Sequence, residues 1–565
     1  MLKNIIILFF ISCFSFAQNH IEKYLLHHDN ISFPLDNSGI LGDVFNGDSS
    51  QIRYKTKPVI FSAGIMLSGK NGNGLWFNGT ISIFRYNDFI PGSYINSQMD
   101  SLAYLYVLKK NQKPFGPSWK NWTNAVKLGA SFYDGDKDGL YNPVDKNGNG
   151  TWDENEDRPD LLGDETIWCV YKDAASPEDR RFFDMLPQGI EIQQTVFTTG
   201  STPELKNTVF VRYKIINSGF VTGKLDSVYF SAIVDADIGN YNDDLIGCDT
   251  TFNTGFCYQN EPDELFGQNT PALLVSLANG PFSYIPGVTF EDLNSNNIYD
   301  SDDIPLDSAI IIKGKVLGTG KKPGATNLGM TSFMQYVNIW PTAYPYDSPV
   351  ALRNLMQGKI YNGNYIDPCE WLMGKVINED CKNIDGKFMY SGDPVYLKGW
   401  INSTNMDQIF LLNTGPFELK VNEPVEITIA YVVGEGDSPL ESLKLAKINS
   451  RTINFLFRNN IFEISQDTTA KTKKQKIIYD FVLYQNYPNP FNSGTNIRYT
   501  LHRKGFTTLK IYDPLGRKLF TPVNEYQSEG VHTVKFDGKN LPAGVYFYTL
   551  TQGAFTETKK MILLK

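Results

Sequence analysis

Acidic and amide side chains recur in this sequence at the spacing that calcium-binding loops use. Calcium takes six to eight oxygen ligands, and alternate residues of a tight loop can bring their oxygens to one point. In a twelve-residue loop the ligands stand at positions 1, 3, 5, 7, 9 and 12; position 7 offers its main-chain carbonyl, and position 6 makes a sharp turn. Three segments fit, each with an aromatic residue at position 8. The predicted ligands are Asp134, Asp136, Asp138, Leu140, Asn142 and Asp145 in the first loop, Asp145, Asn147, Asn149, Thr151, Asp153 and Glu156 in the second, and Asp292, Asn294, Asn296, Ile298, Asp300 and Asp303 in the third.

The first two loops share Asp145, which is position 12 of one and position 1 of the other. They cannot form the usual pair of helix-flanked loops, and they resemble the helix-free calcium loops of thrombospondin type 3 repeats. The third loop has Asn297 at position 6, which is tolerable because Asn enters left-handed backbone conformations more readily than most residues. Asp, Asn and Gly are also common turn formers, so the alternative is a set of solvated acidic turns. The spacing favours calcium in a structural role.

A fourth acidic cluster lacks the twelve-residue spacing. It could bind calcium, supply the paired carboxylates of a glycoside hydrolase, or only decorate a loop between strands. The sequence leaves these three interpretations open. The cluster consists of Asp235, Asp237, Asp243, Asp244 and Asp249.

The central part of the chain lacks histidine, a residue that many enzyme active sites require. None of the five histidines lies between residues 29 and 501, so a Ser-His-Asp triad or a histidine-ligated zinc cannot be assembled within that stretch. Carboxylate-only chemistry on glycans stays possible. Four tryptophans could stack on sugars or fill the core: Trp76, Trp119, Trp122 and Trp371. The sequence favours a protein that is not an enzyme.

The elements that must position these residues are short strands separated by turn residues, with 47 Gly and 29 Pro in the chain. Strands are predicted at 190–198, 207–216, 227–234 and 425–433. One helix is predicted to begin near Ser438 and to run to about Arg458, because Ser438-Pro439-Leu440-Glu441 combines an N-cap, Pro at the first helical position and Glu at the third. The predicted fold class is mainly β, with a multi-domain β-sandwich body and few helices.

The composition limits the partners and the location of the protein. The net charge of −9 argues against nucleic acid, because binding to phosphate backbones requires clustered positive charge. Residues 1–17 have the basic start, apolar run and small-residue cleavage site of a signal peptide. No later apolar run approaches the roughly 20 residues that span a bilayer, so no transmembrane segment is expected in the mature chain. The predicted divisions are an N-terminal β-rich region with the tandem loops (18–185), a central β-sandwich region with one C-terminal helix (186–465) and a linker (466–480).

Five cysteines remain after the predicted cleavage, in a chain that would reach an oxidising compartment. Two pairs are close in sequence, and each could close a small loop. We therefore predict a Cys248–Cys257 bridge and a Cys369–Cys381 bridge. Cys169 is left over in an apolar run and is predicted to be a buried free thiol.

The C-terminal segment has five predicted strands, which suggests a small Ig-like antiparallel β-sandwich. It contains Leu483-Tyr484-Gln485-Asn486-Tyr487-Pro488-Asn489-Pro490-Phe491-Asn492, then Ile511-Tyr512-Asp513-Pro514-Leu515-Gly516-Arg517, Leu541-Pro542-Ala543-Gly544-Val545-Tyr546, and a terminal Lys559-Lys560-Met561-Ile562-Leu563-Leu564-Lys565. Over residues 481–565 these motifs resemble the type A C-terminal sorting domain of the type IX secretion system. The resemblance implies a host in the Bacteroidota or a relative, recognition by the outer-membrane translocon, and release or surface attachment.

The body is similar to a group of uncharacterised secreted Bacteroidota proteins that carry the same sorting domain. The motifs that carry this similarity are Lys57-Pro58-Val59-Ile60-Phe61-Ser62-Ala63-Gly64, Asp235-Ala236-Asp237-Ile238-Gly239-Asn240 and Val432-Val433-Gly434-Glu435-Gly436. We expect a protein that passes the periplasm and is secreted or held at the outer cell surface, with structural calcium and a role in binding a surface ligand or glycan. The alternative function is a carboxylate-dependent extracellular glycan hydrolase.

Overall fold

The computed structural model describes residues 20–458 and 481–564, apart from 46, 48–49, 73, 82–85, 201, 315, 337–347, 487, 502–503, 515–516, 529 and 553–554. The chain divides into two compact units, Met1–Ile464 and Ser465–Lys565. The predicted signal peptide and the predicted linker lie outside the described residues. The described structure is mainly β, as the sequence predicted.

The first unit contains most of the strands. In chain order they are β1 (Lys23–His28), β2 (Ile31–Asp36), β3 (Leu41–Gly42), β4 (Ile52–Tyr54), β5 (Lys57–Asn71), β6 (Gly74–Ile81), β7 (Tyr86–Asn87), β8 (Ile90–Pro91), β9 (Tyr106–Lys109), β10 (Phe132–Tyr133), β11 (Arg158–Pro159), β12 (Glu165–Lys172), β13 (Ile190–Thr198), β14 (Thr208–Asn217), β15 (Lys224–Ala236), β16 (Leu245–Asp249), β17 (Thr254–Tyr258), β18 (Ala272–Asn279), β19 (Phe282–Tyr284), β20 (Phe290–Glu291), β21 (Ile304–Pro305), β22 (Ser308–Ile312), β23 (Thr319–Pro323), β24 (Ala325–Asn327), β25 (Ser332–Tyr336), β26 (Gly374–Ile377), β27 (Gly399–Asn402), β28 (Gln408–Lys420) and β29 (Val425–Gly434). The α-helices of the described residues are α1 (Pro117–Lys127), α2 (Pro349–Met356) and α3 (Pro439–Arg458), and short 3-10 turns occupy Ser97–Leu102, Pro177–Asp179, Pro203–Leu205 and Cys381–Asn383.

Two large antiparallel sheets face each other in the first unit. The first sheet has the order β1-β2-β3-β5-β15-β28-β25, and the second has the order β16-β17-β18-β29-β14-β13-β12-β8. Tyr213 of the second sheet and Phe230 of the first meet with ring centroids 5.6 Å apart, and Phe33 meets Tyr431 at 5.7 Å. Both sheets therefore contribute to one apolar core, whose burial is the main driving force for this arrangement.

Helix α3 covers the outer face of the second sheet. It begins where the sequence predicted: Pro439 is its first residue, and the Ser438 hydroxyl accepts a hydrogen bond from the Glu441 amide at 3.4 Å. Its buried residues pack against strand residues such as Phe210, and the Phe210 and Phe457 rings lie 6.2 Å apart. Leu443, Ala446, Ile453 and Phe457 are buried on this face, and Leu440 is partly buried.

Helix α1 covers another part of the same outer face, where the sequence analysis predicted no helix. Trp122 of this helix lies edge-on to Trp168 of β12, with centroids 6.2 Å apart. Because the core and α1 cover its two faces, every residue of β12 is buried. This explains the unbroken apolar run around the buried free thiol of Cys169, which was predicted correctly. Helix α2, also not predicted, packs its apolar residues into the core cluster.

Both sheets combine strands from either side of the predicted boundary between residues 185 and 186. The central strand β15 pairs with β5 from the N-terminal region and with β28 from the C-terminal side. In the second sheet β12 pairs with β13. The contacts group Met1–Ile464 as one unit, because each sheet needs strands from both regions to bury its inner face.

The disulfide prediction was half right. The Cys369–Cys381 bridge is present, whereas Cys248 and Cys257 are buried free thiols, so the predicted Cys248–Cys257 bridge is wrong. The two free cysteines stand on paired strands, but Cys248 lies opposite Gly255 and Cys257 lies two residues further along. Diagonal neighbours of this kind are about 7 Å apart, and a disulfide needs Cβ atoms about 3.8 Å apart.

The second unit is the small two-sheet sandwich that the sequence predicted. Its strands are β30 (Phe481–Leu483), β31 (Phe491–Asn492), β32 (Gly494–Leu501), β33 (Gly505–Tyr512), β34 (Lys518–Gln527), β35 (Gly530–Asp537), β36 (Gly544–Gln552) and β37 (Phe555–Leu564). One sheet has the order β30-β32-β35 and the other β31-β37-β36-β33-β34. All described pairs are antiparallel except β31 with β37, and β30, β31 and β34 were not among the five predicted strands. The unit has a core of its own, which includes Ile497, Tyr499, Ile511 and Tyr548.

Candidate metal sites

Each acidic loop is an excursion between two short paired strands. The tandem loops (134–157) lie between β10 and β11, where Phe132 pairs with Pro159 and Tyr133 with Arg158. The third loop (292–303) lies between β20 and β21, where Phe290 pairs with Pro305. These ladders bring the two ends of each excursion together, so residues distant within it can contact one another. No helix of the described chain flanks either excursion directly.

The three loops share one backbone conformation. Position 4 has a positive φ in each, at 61° in Lys137, 72° in Gly148 and 58° in Ser295. Position 6 does the same, at 78° in Gly139, 76° in Gly150 and 59° in Asn297. The left-handed conformation predicted for Asn297 is therefore present. Two left-handed residues so close together curl the chain around a common centre.

The side chain at position 1 caps each loop from within. Asp134 accepts hydrogen bonds from the amides of positions 5 and 6 at 3.2 and 2.9 Å, and Asp145 does the same at 3.2 and 2.8 Å. Asp292 repeats the pattern at 3.1 and 2.7 Å. The position 3 and 5 side chains also accept main-chain amides, for example Asp138 from Leu140 at 2.7 Å. These bonds fix the orientation of the side chains at positions 1, 3 and 5 of each loop.

A closing carboxylate completes the second and third loops. Glu156 accepts the amides of positions 2 and 9, Lys146 at 2.6 Å and Asp153 at 3.0 Å. Asp303 does the same in the third loop, with both amides at 3.0 Å. Position 12 of these two loops, which the sequence predicts to be a ligand, thus ties the two ends of its loop together through main-chain amides.

The first loop is closed by Asp157 and not by Asp145. Asp157 accepts the position 2 amide of Gly135 at 3.0 Å and the position 9 amide of Asn142 at 2.7 Å. Both oxygens of Asp145 are taken by amides of the second loop. The second loop is therefore inserted into the first just before its closing residue. Gly135 permits this nesting, since a Cβ there would stand 2.3 Å from the Glu156 carbonyl oxygen.

Asp157 was not among the predicted ligands, because the twelve-residue spacing ends on Asp145. The signal for it is the adjacent pair Glu156-Asp157 directly before β11, which gives one closing carboxylate to each loop. Asp157 is only 2% exposed, and this burial raises its pKa above the usual range.

The first loop has the densest negative charge. One oxygen from each of Asp134, Asp136 and Asp138 lies within 4.8 Å of the others. The Lys146 ammonium donates to Asp136 at 2.9 Å and holds the pKa of that carboxyl below its usual value. A cationic group thus already stands against this loop.

In the other two loops, amides take the place of such a cation. Asn147 and Asn149 donate to Asp153 at 2.7 and 2.9 Å. Asn294 and Asn296 donate to Asp300 at 2.9 and 3.0 Å. These amide groups would have to turn over to present oxygen to a metal ion.

The aromatic residue at position 8 anchors each loop to its own ladder. Tyr141 contacts Phe132 with ring centroids 5.3 Å apart, and its hydroxyl donates to the Trp119 carbonyl at 2.9 Å. Trp152 stands edge-on to Tyr133 at 5.5 Å. Tyr299 meets Phe290 at 5.3 Å. The loops are therefore tied to the body by apolar packing and do not depend on their polar bonds alone.

The fourth acidic cluster separates into two parts. Asp243, Asp244 and Asp249 have protein partners: Gln259 donates to Asp243 at 2.5 Å and to Asp244 at 3.2 Å, and Arg451 lies 3.8 Å from Asp249. Asp235 and Asp237 lie instead with Asp407, and one oxygen from each of the three is within 4.8 Å of the others. The sequence analysis missed Asp407, which is remote in sequence.

Burial perturbs this second group strongly. Asp235 and Asp237 are 7% and 8% exposed, and Asp407 is exposed. Burial, followed by repulsion from Asp237 and Asp407, raises the pKa of Asp235 to about 9. Burial and repulsion from Asp407 raise the pKa of Asp237 to about 7. The ionised forms of these carboxylates are unfavourable unless a positive charge joins them.

The tryptophans considered for sugar stacking are mostly core residues. Trp76, Trp119 and Trp122 are buried. Trp371 is half-buried, and its indole N–H donates to the Tyr390 hydroxyl at 2.9 Å. Stacking on a glycan would need exposed ring faces, which the three buried indoles do not offer.

Comparison with known proteins identifies the second unit. Residues 485–564 match the family described as the secretion system C-terminal sorting domain. The second unit is a sorting domain. The chain is therefore a type IX secretion substrate, exported to the outside of the cell or to its surface, and the sorting domain interacts with that secretion machinery. No helix in the described part of the chain is long and apolar enough to cross a membrane.

The other comparisons add little about the first unit. No curated protein matches the chain. A polysaccharide lyase is similar at 7% identity with a TM-score of 0.26, and the match covers 96% of this chain but 46% of the lyase. The adhesin domain of Epf from Streptococcus pyogenes is similar at 10% identity with a TM-score of 0.12, over 71% of this chain and 92% of that domain. This chain thus spans less than half of the lyase, and neither similarity carries an argument about function.

Proposed function

We propose that the first unit is a calcium-stabilised β-scaffold with one ion in each of the three acidic loops. The observation that carries the proposal is the repetition of one arrangement in three different segments. Each has two left-handed residues, a position 1 carboxylate on the amides of positions 5 and 6, and a closing carboxylate on the amides of positions 2 and 9. Hard oxygen donors gathered in this way suit calcium.

The ligands of the first ion would be Asp134, Asp136, Asp138, Asp157 and the main-chain carbonyl of Leu140. Calcium would displace the Lys146 ammonium from Asp136, because a divalent ion offsets the crowded carboxylates better than one lysine does. In the second and third loops the asparagine amides would turn over to present their oxygens.

The ions would have a static role. In sensor proteins two helices flank the calcium loop and change their angle when the ion binds. Here short strand ladders close the excursions, and aromatic residues fix them to the body. Calcium would therefore order these loops without moving a larger element.

Calorimetric titration of the intact mature chain with calcium tests the proposal. We expect Glu156→Gln, Asp157→Asn and Asp303→Asn each to lose the binding of one ion. Asp302→Asn is the matched control, because Asp302 is exposed in the third loop but stands outside the ligand positions. If no calcium binds at millimolar concentration, the loops are acidic turns and not metal sites.

We further propose that residues 1–17 take the chain into the periplasm before the sorting domain takes it across the outer membrane. Deleting residues 481–565 should then leave the protein in the periplasm, as detected by cell fractionation. Normal amounts of the truncated chain in the medium or at the cell surface would refute this route. The truncated chain, which ends at residue 480, lacks the sorting domain but keeps the body intact, since the body has its own core.

A role in binding a ligand at the cell surface fits an exported scaffold better than catalysis does. The hydrolase alternative depended on paired carboxylates, with tryptophans that could stack on the sugar, and three of the four tryptophans are buried. A glycan binding and hydrolysis screen of the intact chain separates the two functions. Turnover that disappears in Asp237→Asn would replace the non-enzymatic proposal.

A further inference from the structure

The register of the first sheet brings three carboxylates to one spot. Asp235 lies in β15 opposite Ile409 of β28, and Ala236 lies opposite Gln408. The same register, continued by one residue, places Asp407 level with Asp237. Alternate residues of a strand share a face, and so do residues directly opposite each other. The three side chains therefore converge, and one oxygen from each lies within 4.8 Å of the others.

The carboxyl groups of this cluster act mainly on one another. Besides burial, the largest influences on Asp235 come from the acidic residues Asp237, Asp407 and Asp43, and Asp235 and Asp407 are hydrogen-bonded to each other. Asp237 is acted on by Asp407. Like charges directly opposite each other on a sheet are destabilising. Such a group persists in a fold when a bound cation, or a proton shared between the carboxyls, neutralises it.

Two buried oxygens at this spot lack hydrogen-bond partners among the described residues. One is Oδ1 of Asp235, a residue that is only 7% exposed. The other is Oγ of Ser62, which is 1% exposed. Ser62 lies directly opposite Asp235 on the neighbouring strand β5, so both side chains share a face. Buried polar atoms are almost always satisfied, so a pair of orphans on one face indicates a missing partner.

The backbone is irregular at the same point. The β15–β5 ladder shifts its register between Asp235, opposite Ser62, and Ala236, opposite Ile60. A bulge of this kind re-aims the side chains beside it and is common next to functional sites. It turns the end of β15 away from regular pairing just where the carboxylates meet.

We infer that Asp235, Asp237, Asp407 and Ser62 form a calcium site that is separate from the three acidic loops. The donors are three carboxylates and one hydroxyl, all hard oxygens. The exposed carboxylate of Asp407 gives the ion an entrance from solvent and leaves room for water ligands.

The site would join elements that the chain connects only through long excursions. Asp235 lies near the end of β15 with Asp237 just beyond it, and Asp407 directly precedes β28. Ser62 lies in β5, so the ion would bridge three adjacent strands in the middle of the first sheet. Its effect would be to fix the end of that sheet, independently of the loops.

Equilibrium dialysis of the intact mature chain against calcium alone tests this inference. We expect Asp235→Asn and Asp407→Asn each to bind one calcium ion fewer than the parent chain. Asp249→Asn is the matched control, because Asp249 belongs to the same acidic segment but lies by Arg451 at 3.8 Å. Asp407 is exposed, so its substitution tests the site even if a change at the buried Asp235 disturbs folding.

Thermal melting gives the second readout. In chelator we expect Asp235→Asn to melt at or above the parent temperature, because the substitution removes repulsion. In calcium the parent should gain more stability than the variant, so the order of the two reverses. An unchanged calcium stoichiometry in both variants, or an equal calcium response in parent and variant, would overturn the site and identify the cluster as carboxyls that share protons. Glu156→Gln and Asp303→Asn should leave this site filled, which separates its failure from failure of the loop proposal.

Discussion

The tandem loops and the third loop have the same parts but are closed differently. In the third loop the closing residue, Asp303, stands at the regular twelfth position. In the tandem pair the second loop closes on Glu156, and the first loop closes on Asp157 from beyond the inserted second loop. Local spacing therefore predicts the turn and capping residues of such a loop, whereas its closing residue depends on what folds back to it.

The two regions also differ in charge. The first loop gathers Asp134, Asp136, Asp138 and Asp157, whereas the third loop has two asparagines among its central side chains. Calcium affinity rises with the number of charged ligands in a loop of fixed geometry. We therefore expect the first loop to fill at a lower calcium concentration than the third.

Removal of calcium should produce the largest effect. An ion that binds only the folded state adds about 2.7 kcal/mol per site when its concentration is 100 times its Kd. Chelator should lower the melting temperature of the mature chain and increase proteolysis within 134–157 and 292–303. The same melting temperature with and without calcium would show that neither region holds an ion.

Asp157→Asn should have the next largest effect and should act on the tandem region alone. The buried carboxylate accepts two amides, and an amide side chain offers only one oxygen, so we expect a loss of about 1–3 kcal/mol. Unfolding by denaturant in saturating calcium measures it. Asp145→Asn is the comparison variant: if it weakens the closure of the first loop more than Asp157→Asn does, the closing role has been assigned to the wrong residue.

Gly150→Ala should cost about 1–2 kcal/mol, since an alanine would have to take the left-handed φ of 76°. Asn297→Ala should cost less, because Asn already has a Cβ at its φ of 59°. The difference between the two free energies of unfolding compares position 6 in the two regions. Equal costs would mean that the regions do not impose the same conformation.

Asn297→Gly should have the smallest effect, a gain of a few tenths of a kcal/mol. Glycine relieves the left-handed conformation but loses more backbone freedom on folding, so the two terms nearly cancel. Thermal melting measured with calcium gives the sign. A clear loss would indicate that the Asn297 side chain has a role of its own in the third loop.

Features defined by neighbouring residues were predicted correctly, whereas features that depend on residues distant in sequence were missed. The strand at 190–198 and the helix from Pro439 to Arg458 were predicted because strand alternation and helix capping are visible in neighbouring residues of the sequence. Helix α1 was missed although Pro117 stands at its first position. Its helical spacing is visible in Trp119 and Trp122, which are buried against β12 only in the folded sheet.

The cysteines show the same limit. A short separation in sequence suggested two bridges, and the one between Cys369 and Cys381 formed. The pair Cys248 and Cys257 stayed free because strand register, and not loop length, decides which side chains meet across a hairpin. Register depends on what the whole sheet must bury.

By itself the sequence determined the export signal at the C-terminus, the mainly β class and the first nine positions of each acidic loop. These are local patterns, which residues close together in the sequence are enough to define. Only the tertiary structure decided that Asp157 closes the first loop and that Asp407 joins Asp235 and Asp237. Both choices are made by antiparallel pairing, which brings together side chains that are far apart along the chain.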